Sequence, residues 1–144
     1  MLGLLRTADR IGRFVSGVVE PAGVTRQQYN VLRILRGAAE PLPTLEIAER
    51  MVEQAPGITR LVDRLVRKGW VERERCEQDR RQVLCSITPA GKRLLDGLDE
   101  PVRQVDEEAL GMLQRKEVEE LIRLLDKVRT AAEADSPKEQ EKRR

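Results

Sequence analysis

The chain has no histidine and only two cysteines among its 144 residues. Without histidine the usual zinc ligand sets cannot be assembled, and two thiols are too few for a disulfide scaffold of this length. The side chain that most often does acid–base work near neutral pH is missing as well. No nucleophile paired with a base, metal-ligand spacing or phosphate-cradling glycine loop replaces it, so no catalytic residue, no metal and no cofactor is expected. Aromatic residues are scarce: one Phe, one Trp and one Tyr. The core must therefore be aliphatic, and no ring cluster marks a ligand pocket. Long apolar runs are absent too. The opening MLGLLRTADRIGRF is broken by Arg6, Asp9, Arg10 and Arg13, which argues against a signal-peptide core or a membrane span. A soluble, cytoplasmic protein with no membrane partner is expected.

What the chain has in quantity is charge: 36% Asp, Glu, Lys and Arg beside 40% apolar residues. That is the balance of a helix-rich domain with a densely charged surface. The net charge of +2 says little, but its distribution says more. From Thr59 to Arg81 there are eight bases and five acids, and from Leu94 to Glu120 nine acids and three bases. The first stretch suits a polyanion; the second would be repelled by one.

Helical periodicity runs through most of the chain. Leu4, Ala8, Ile11, Val15, Val18 and Val19 share one face of a first helix, which stops at EPAG. A second begins near Thr25, a plausible N-cap, and carries Tyr29, Leu32, Ile34 and Leu35. TLEIAERMVEQAPGITRLVDRLVRKGWV reads as two short helices joined tightly, with Thr44 capping the first and Glu46 in its first turn. Pro56 suits the first turn of the second, and Gly69 the position just past its end. Ile58, Leu61, Val62 and Leu65 commit one side of that helix to the core, leaving Thr59, Arg60, Asp63, Arg64 and Arg67 outside. Asp63 and Arg67 are spaced to pair at i, i+4.

After Gly69 the period changes to that of strands. WVERERC and QVLCSIT form an expected hairpin, tipped by Asp79, Arg80 and Arg81. Thr88 and Pro89 then start a helix running to about Met112, and EVEELIRLLDKVRTAAE forms a last one. Its stripe is Val118, Leu121, Ile122, Leu125 and Val128, with Glu119 and Arg123 spaced to pair. The end, 134–144, lacks apolar residues and reads as a flexible tail.

Two short helices followed at once by a hairpin are the parts of a winged helix-turn-helix. The second helix can enter the major groove of duplex DNA, and a thin arginine-tipped ribbon can reach the minor groove. Asp79 would then orient a neighbouring guanidinium, with Arg80 or Arg81 entering the groove. Taken alone, a charged tip is a solvated turn and a charged helix face is solubility. Both features in this order, within one basic stretch, favour DNA.

The succession LEIAERM, PGITRLVDRLVRKGWVER and DRRQVLCSITPAGKRLL resembles the MarR family of bacterial transcriptional regulators, with its Asp-Arg-Arg wing tip and the Ile-Thr-x-x-Gly start of the next helix, here Ile87 to Gly91. The match is specific over residues 44–95 and consistent in helix layout to about residue 133. It implies a single domain over 1–133, mainly α with a small β-hairpin: a winged unit at about 25–95 between dimerisation helices at about 3–20 and 96–133. It further implies a homodimeric repressor on a palindromic operator, released in many relatives by a small-molecule effector that the sequence does not name. The implied recognition helix is Pro56 to Lys68. Its DNA-facing set is Thr44, Gln54, Pro56, Gly57, Thr59, Arg60 and Arg64, with Asp79, Arg80 and Arg81 on the wing. Relatives carry Ser or Thr near the helix start, where this chain has Ala55, Pro56 and Gly57; backbone N–H groups can hold a phosphate there, or water can.

The residues themselves also argue for a dimer. The first and last helices carry apolar stripes that a winged unit alone does not need, and a two-fold partner would bury them in matching positions. Leu4, Ile11, Val15, Val118, Leu121, Ile122 and Leu125 are the expected interface. Folding back on their own subunit is the alternative. Cys76 and Cys85 both fall in the wing: two small strand residues, or a thiol sensor next to Arg73 and Arg75. A winged helix used only for protein contact is the other function class left open.

Overall fold

In the computed structural model, residues 1–52, 57–76, 79 and 82–134 are described. The chain divides into two compact units, Met1–Val105 and Asp106 onward.

The first unit opens with α1 (Leu2–Val19), which passes through a 3-10 turn (Glu20–Ala22) to Gly23 at φ 76°, a left-handed conformation that glycine adopts without strain. Helix α2 (Arg26–Gly37) starts in a capping box: Thr25 Oγ1 accepts from Gln28 N at 3.2 Å and Gln28 Oε1 from Thr25 N at 3.1 Å. The expected cap at Thr25 is present. Strand β1 (Leu42–Pro43) leads directly into α3 (Thr44–Arg50), followed by α4 (Ile58–Arg67), β2 (Val71–Arg75), β3 (Val83–Ile87) and α5 (Pro89–Leu110).

Two sequence expectations change here. The hairpin is two strands of a three-stranded antiparallel sheet in the order β1-β3-β2, because Leu42 pairs with Cys85 and Pro43 with Leu84. Thr44 is not the N-cap of α3. Pairing of β1 carries extended backbone up to Pro43, which takes the cap position, so Thr44 is already helical and its hydroxyl lies 3.7 Å from Cys85 Sγ. The second helix of the pair is described from Ile58, with Gly57 at φ 92° as its N-cap, and Pro56, expected in its first turn, lies outside the described residues.

The core is aliphatic, as the composition demands. Val19, Val31, Leu32, Ile47, Val62, Leu65, Cys85 and Leu95 are wholly buried, drawn from four helices, β3 and the start of α5. The end of α4 is a Schellman motif: Gly69 N donates to Val66 O at 2.9 Å and Trp70 N to Leu65 O at 3.0 Å, with Gly69 at φ 71°. Thr88 caps α5 through Gly91 N at 3.1 Å and also donates to Gly69 O at 2.7 Å. A Cβ on Gly91 would lie 2.4 Å from the Trp70 carbonyl oxygen, so helix and turn meet only because this residue has no side chain.

Helix α5 is fastened to α2 by a two-pronged ion pair. Arg36 Nη1 donates to Asp99 Oδ2 at 2.8 Å and Nη2 to Oδ1 at 2.7 Å, with Asp96 Oδ1 at 3.5 Å from Nη1. The hydrogen bonds from Arg36 hold the Asp99 carboxyl below the ordinary aspartate range.

The second unit contains α6 (Arg115–Ala134), started by Gln114 N donating to Glu117 Oε2 at 2.7 Å. Arg123 pairs with Glu120 three residues before it and Glu119 with Arg115 four residues before it, so these two pairs replace the expected Glu119–Arg123 pair. Residues 135–144, including most of the expected tail, lie outside the described residues.

Because Asp99 is half exposed, its pair contributes modestly: Asp99→Asn should cost about 0.5–1 kcal/mol at neutral pH. The folded-state pKa is depressed, so the contribution is complete above the unfolded value of about 3.9 and is lost as pH falls through the folded value. Urea titrations of both proteins should therefore differ at pH 7 and converge in acid; a difference that persists below the folded pKa would assign the loss to packing instead.

Candidate nucleic-acid interface

Burial of one side of α4 dictates what the other side offers. Leu61, Val62 and Leu65 are at most 7% exposed, and the 3.6-residue period turns Thr59, Arg60, Arg64 and Arg67 outward. Arg60, Arg64 and Arg67 have no carboxylate partner among the described residues, whereas Arg13, Arg36, Arg50, Arg73, Arg103, Arg115, Arg123 and Arg129 are all paired. The exposed face of α4 thus carries three arginines that no described carboxylate offsets. At its start no side chain among the described residues caps the first-turn N–H groups, and these donors lie at the positive end of the helix dipole.

Asp63 does not pair with Arg67. It accepts instead from Arg73 Nη1 on β2, while Arg73 Nη2 reaches Thr59 O at 3.4 Å. The helix turns Asp63 toward the sheet, and a fixed strand partner replaces the local one. The same arginine therefore grips α4 at its first turn and its middle. Its Nε is buried and lacks a hydrogen-bond partner among the described residues.

At the wing, Arg75 pairs in register with Val83, Cys76 N donates to Gln82 O at 3.1 Å, and Gln82 N donates to Asp79 O at 2.9 Å. Asp79 is exposed, and Gln82 Nε2 donates to its Oδ2 at 3.3 Å. Gln54, Pro56, Arg80 and Arg81, all expected in the DNA-facing set, lie outside the described residues. Gly57 and Thr59 are exposed and Thr44 is half-buried.

The two thiols are not opposite each other. Cys76 faces Gln82, and Cys85 faces Arg73 three positions further along β3. That offset is about 10 Å of strand, beyond the Cα separation of about 7 Å that a disulfide can span. Cys85 is moreover wholly buried.

The expected dimer residues divide into two kinds. Ile11 and Val15 are half-buried, and Val15 packs on the core of its own chain. Leu4, Ile122 and Leu125 are 44%, 55% and 39% exposed, with Leu5, Phe14 and Val128 also open. Val118 and Leu121 are half-buried within their own unit. The apolar faces of α1 and α6 are thus largely uncovered in a single chain.

One cluster was not legible in the sequence. Lys68 donates to the Gly23 carbonyl and covers the Trp70 ring at 4.6 Å, and with Arg64 and Arg67 it borders a depression closed by the start of α2. Lys68 and Gly23 are 45 residues apart, so only the tertiary fold brings them together.

Two helices of a helix-turn-helix and a sheet-based wing, in this order, define a winged helix-turn-helix. The MarR family model matches residues 24–83. The multiple antibiotic resistance protein MarR of Escherichia coli K12 is 34% identical over 117 residues, 81% of each chain. Among solved structures, a MarR transcription factor from Planctomyces limnophilus is 45% identical with a TM-score of 0.67, covering 87% of this chain and 91% of that one. A mutant Escherichia coli MarR complexed with operator DNA is 30% identical with a TM-score of 0.79, covering 87% and 89%. The chain belongs to the MarR family of transcriptional regulators. No described helix is long and apolar enough to cross a membrane.

If Arg73 and Asp63 act as one unit, Arg73→Ala and Asp63→Ala should each destabilise the fold while the double variant loses less than their sum, a coupling of about 0.5–1 kcal/mol in a denaturation cycle. Strict additivity would show the contact carries no energy.

Proposed function

We propose that the protein is a sequence-specific DNA-binding repressor that sits on a palindromic operator as a homodimer and is released by a small-molecule effector. The arginines on the open face of α4 carry this reading, since no carboxylate among the described residues offsets that charge. In it Thr59, Arg60 and Arg64 face base edges in the major groove, and the Gly57 end of α4 and Thr44 face the phosphates. Gln54 and Pro56 belong to the same approach. Arg80 and Arg81 enter the minor groove with Asp79 beside them. The operator complex of the Escherichia coli relative supports this docking. Because two recognition helices must meet one duplex about one turn apart, some 34 Å, the dimer is part of the mechanism.

The exposed apolar faces of α1 and α6 support two-fold assembly, with Leu4, Ile11, Val15, Val118, Leu121, Ile122 and Leu125 in the interface. The role needs no catalytic group, metal or cofactor, and an operator places the working protein in the cytoplasm.

Footprinting on the DNA upstream of the protein's own gene should reveal a two-fold symmetric site. Arg60→Ala or Arg64→Ala should cost about 1–3 kcal/mol of discrimination. Arg80→Ala or Arg81→Ala should weaken binding to all sequences and flatten its salt slope by about one unit. Small, equal effects at all four positions would misassign the docking, and salt-independent binding would favour a protein-contact module.

Sedimentation at nanomolar concentration should find a dimer. Ile122→Glu and Leu125→Glu put a charge on surface that is open in one chain, so they should dissociate the dimer without unfolding the subunit. A wild-type monomer, or variants that remain dimeric, would place the interface elsewhere.

A further inference from the structure

In its interior α5 carries, one turn apart, the two residue types that weaken a helix most, Gly97 and Pro101. Proline has no N–H to give the Gly97 carbonyl, and its ring crowds that same oxygen. Glycine at the receiving end leaves this turn the greatest backbone freedom. Packing does not ask for it: a Cβ on Gly97 would meet nothing within 4 Å, whereas one on Gly91 would strike the Trp70 carbonyl. A weak turn kept in a helix without a packing reason points to a use outside stability.

The weak turn lies where α5 leaves its anchorage. Upstream, Thr88 and Gly91 fix the helix start to Gly69 and Trp70, directly past the end of α4. Leu95, Leu98 and Val102 belong to the core, and no later described residue of α5 does. The compact unit ends at Val105, while the helix runs on to Leu110. Side chains bridge the turn from both sides. The Arg36 fork on α2 holds Asp99 at 2.7 and 2.8 Å and reaches Asp96 at 3.5 Å, the two residues that bracket Gly97 and Leu98. Glu100 accepts from Arg103 Nε at 2.9 Å and from Gln104 Nε2 at 3.3 Å, across Pro101.

We infer that Gly97 and Pro101 form a joint in α5 which Arg36 latches, and that this joint sets the spacing between half-sites that the protein accepts on DNA. The inference rests on the operator reading and its two-fold dimer. Because α4 is bound to the start of α5, the angle at the joint decides where each copy presents its α4. From Pro101 to Leu110 is about 14 Å of helix, so a bend of about 15° moves its end by about 4 Å. One added base pair moves a half-site by about 3.4 Å, a displacement of the same size. A jointed helix follows such a change easily; a stiff one does not. Gly97, Pro101 and Arg36 are positioning residues, and none is asked to touch a base.

Two variants with opposite expectations test it. Gly97→Ala combined with Pro101→Ala restores the missing hydrogen bond at positions that are exposed and half-buried, and Arg36→Gln removes the latch. The full chain is titrated with operator duplexes whose half-sites stand at the natural spacing, or one base pair closer or further apart. The wild type should bind the neighbouring spacings within about threefold of the best, and the stiffened variant should lose about tenfold at the neighbours alone. Arg36→Gln should flatten the profile. Urea titration should find the stiffened variant more stable than the wild type, which separates its loss of binding from unfolding. Profiles that fall in parallel at every spacing, or that stay unchanged in both variants, overturn the inference. Amide exchange without DNA, read over residues 98–105 against α2, should slow in the stiffened variant; equal exchange overturns the joint itself. A wild type that binds no duplex would sink the operator reading and the spacing role with it, while slowed exchange would leave the joint standing.

Discussion

The two residues Gly69 and Trp70 are where the winged unit is tied together. Their N–H groups donate to the Val66 and Leu65 carbonyls at the end of α4 in a left-handed cap, and their own carbonyls accept from Thr88 Oγ1 at 2.7 Å and Thr88 N at 3.0 Å at the far end of the wing. Gly91 of α5 then rests on the same Trp70 carbonyl. Helix α4, both principal strands and α5 thus share one turn of backbone, and a displacement there moves all four. The pair from Arg73 to Asp63 and the Thr59 carbonyl repeats the linkage at the other end of α4.

How charge is spent divides the molecule. Arg13, Arg50, Arg103, Arg115, Arg123 and Arg129 are tied to acids on the same helix at i, i+3 or i, i+4, and such exposed pairs add little to stability. Arg36 and Arg73 are different, since each bridges separate elements and is partly buried, where geometry limits the competition from water. On α4 and its cap, Arg60, Arg64, Arg67 and Lys68 form no ion pair with a described carboxylate. Leaving cations unpaired on one surface disfavours the folded state by self-repulsion, and a polyanionic partner reverses the sign of that term.

Much of this could be read from residues alone, and the failures have local causes. The core face of α4 followed from the spacing of Ile58, Leu61, Val62 and Leu65, and the α5 start from Thr88, Pro89 and Gly91, because period and capping chemistry act within a few residues. Thr44 misled because β1 is only two residues long and its pairing with β3 is a long-range event. Asp63 misled because i, i+4 spacing makes Arg67 available but not preferred once Arg73 arrives from the strand. The basic depression left no signal at all: its parts are ordinary in sequence, and folding alone brings Thr25 and Gln28 to Arg67 and Lys68.

The terminal helices bear on stability as well as on recognition. Half-exposed leucine, isoleucine and phenylalanine side chains on α1 and α6 gain little by folding in a single chain, since area left in water contributes nothing to the hydrophobic term. If a second copy covers them, that contribution belongs to association, and subunit stability becomes a function of protein concentration.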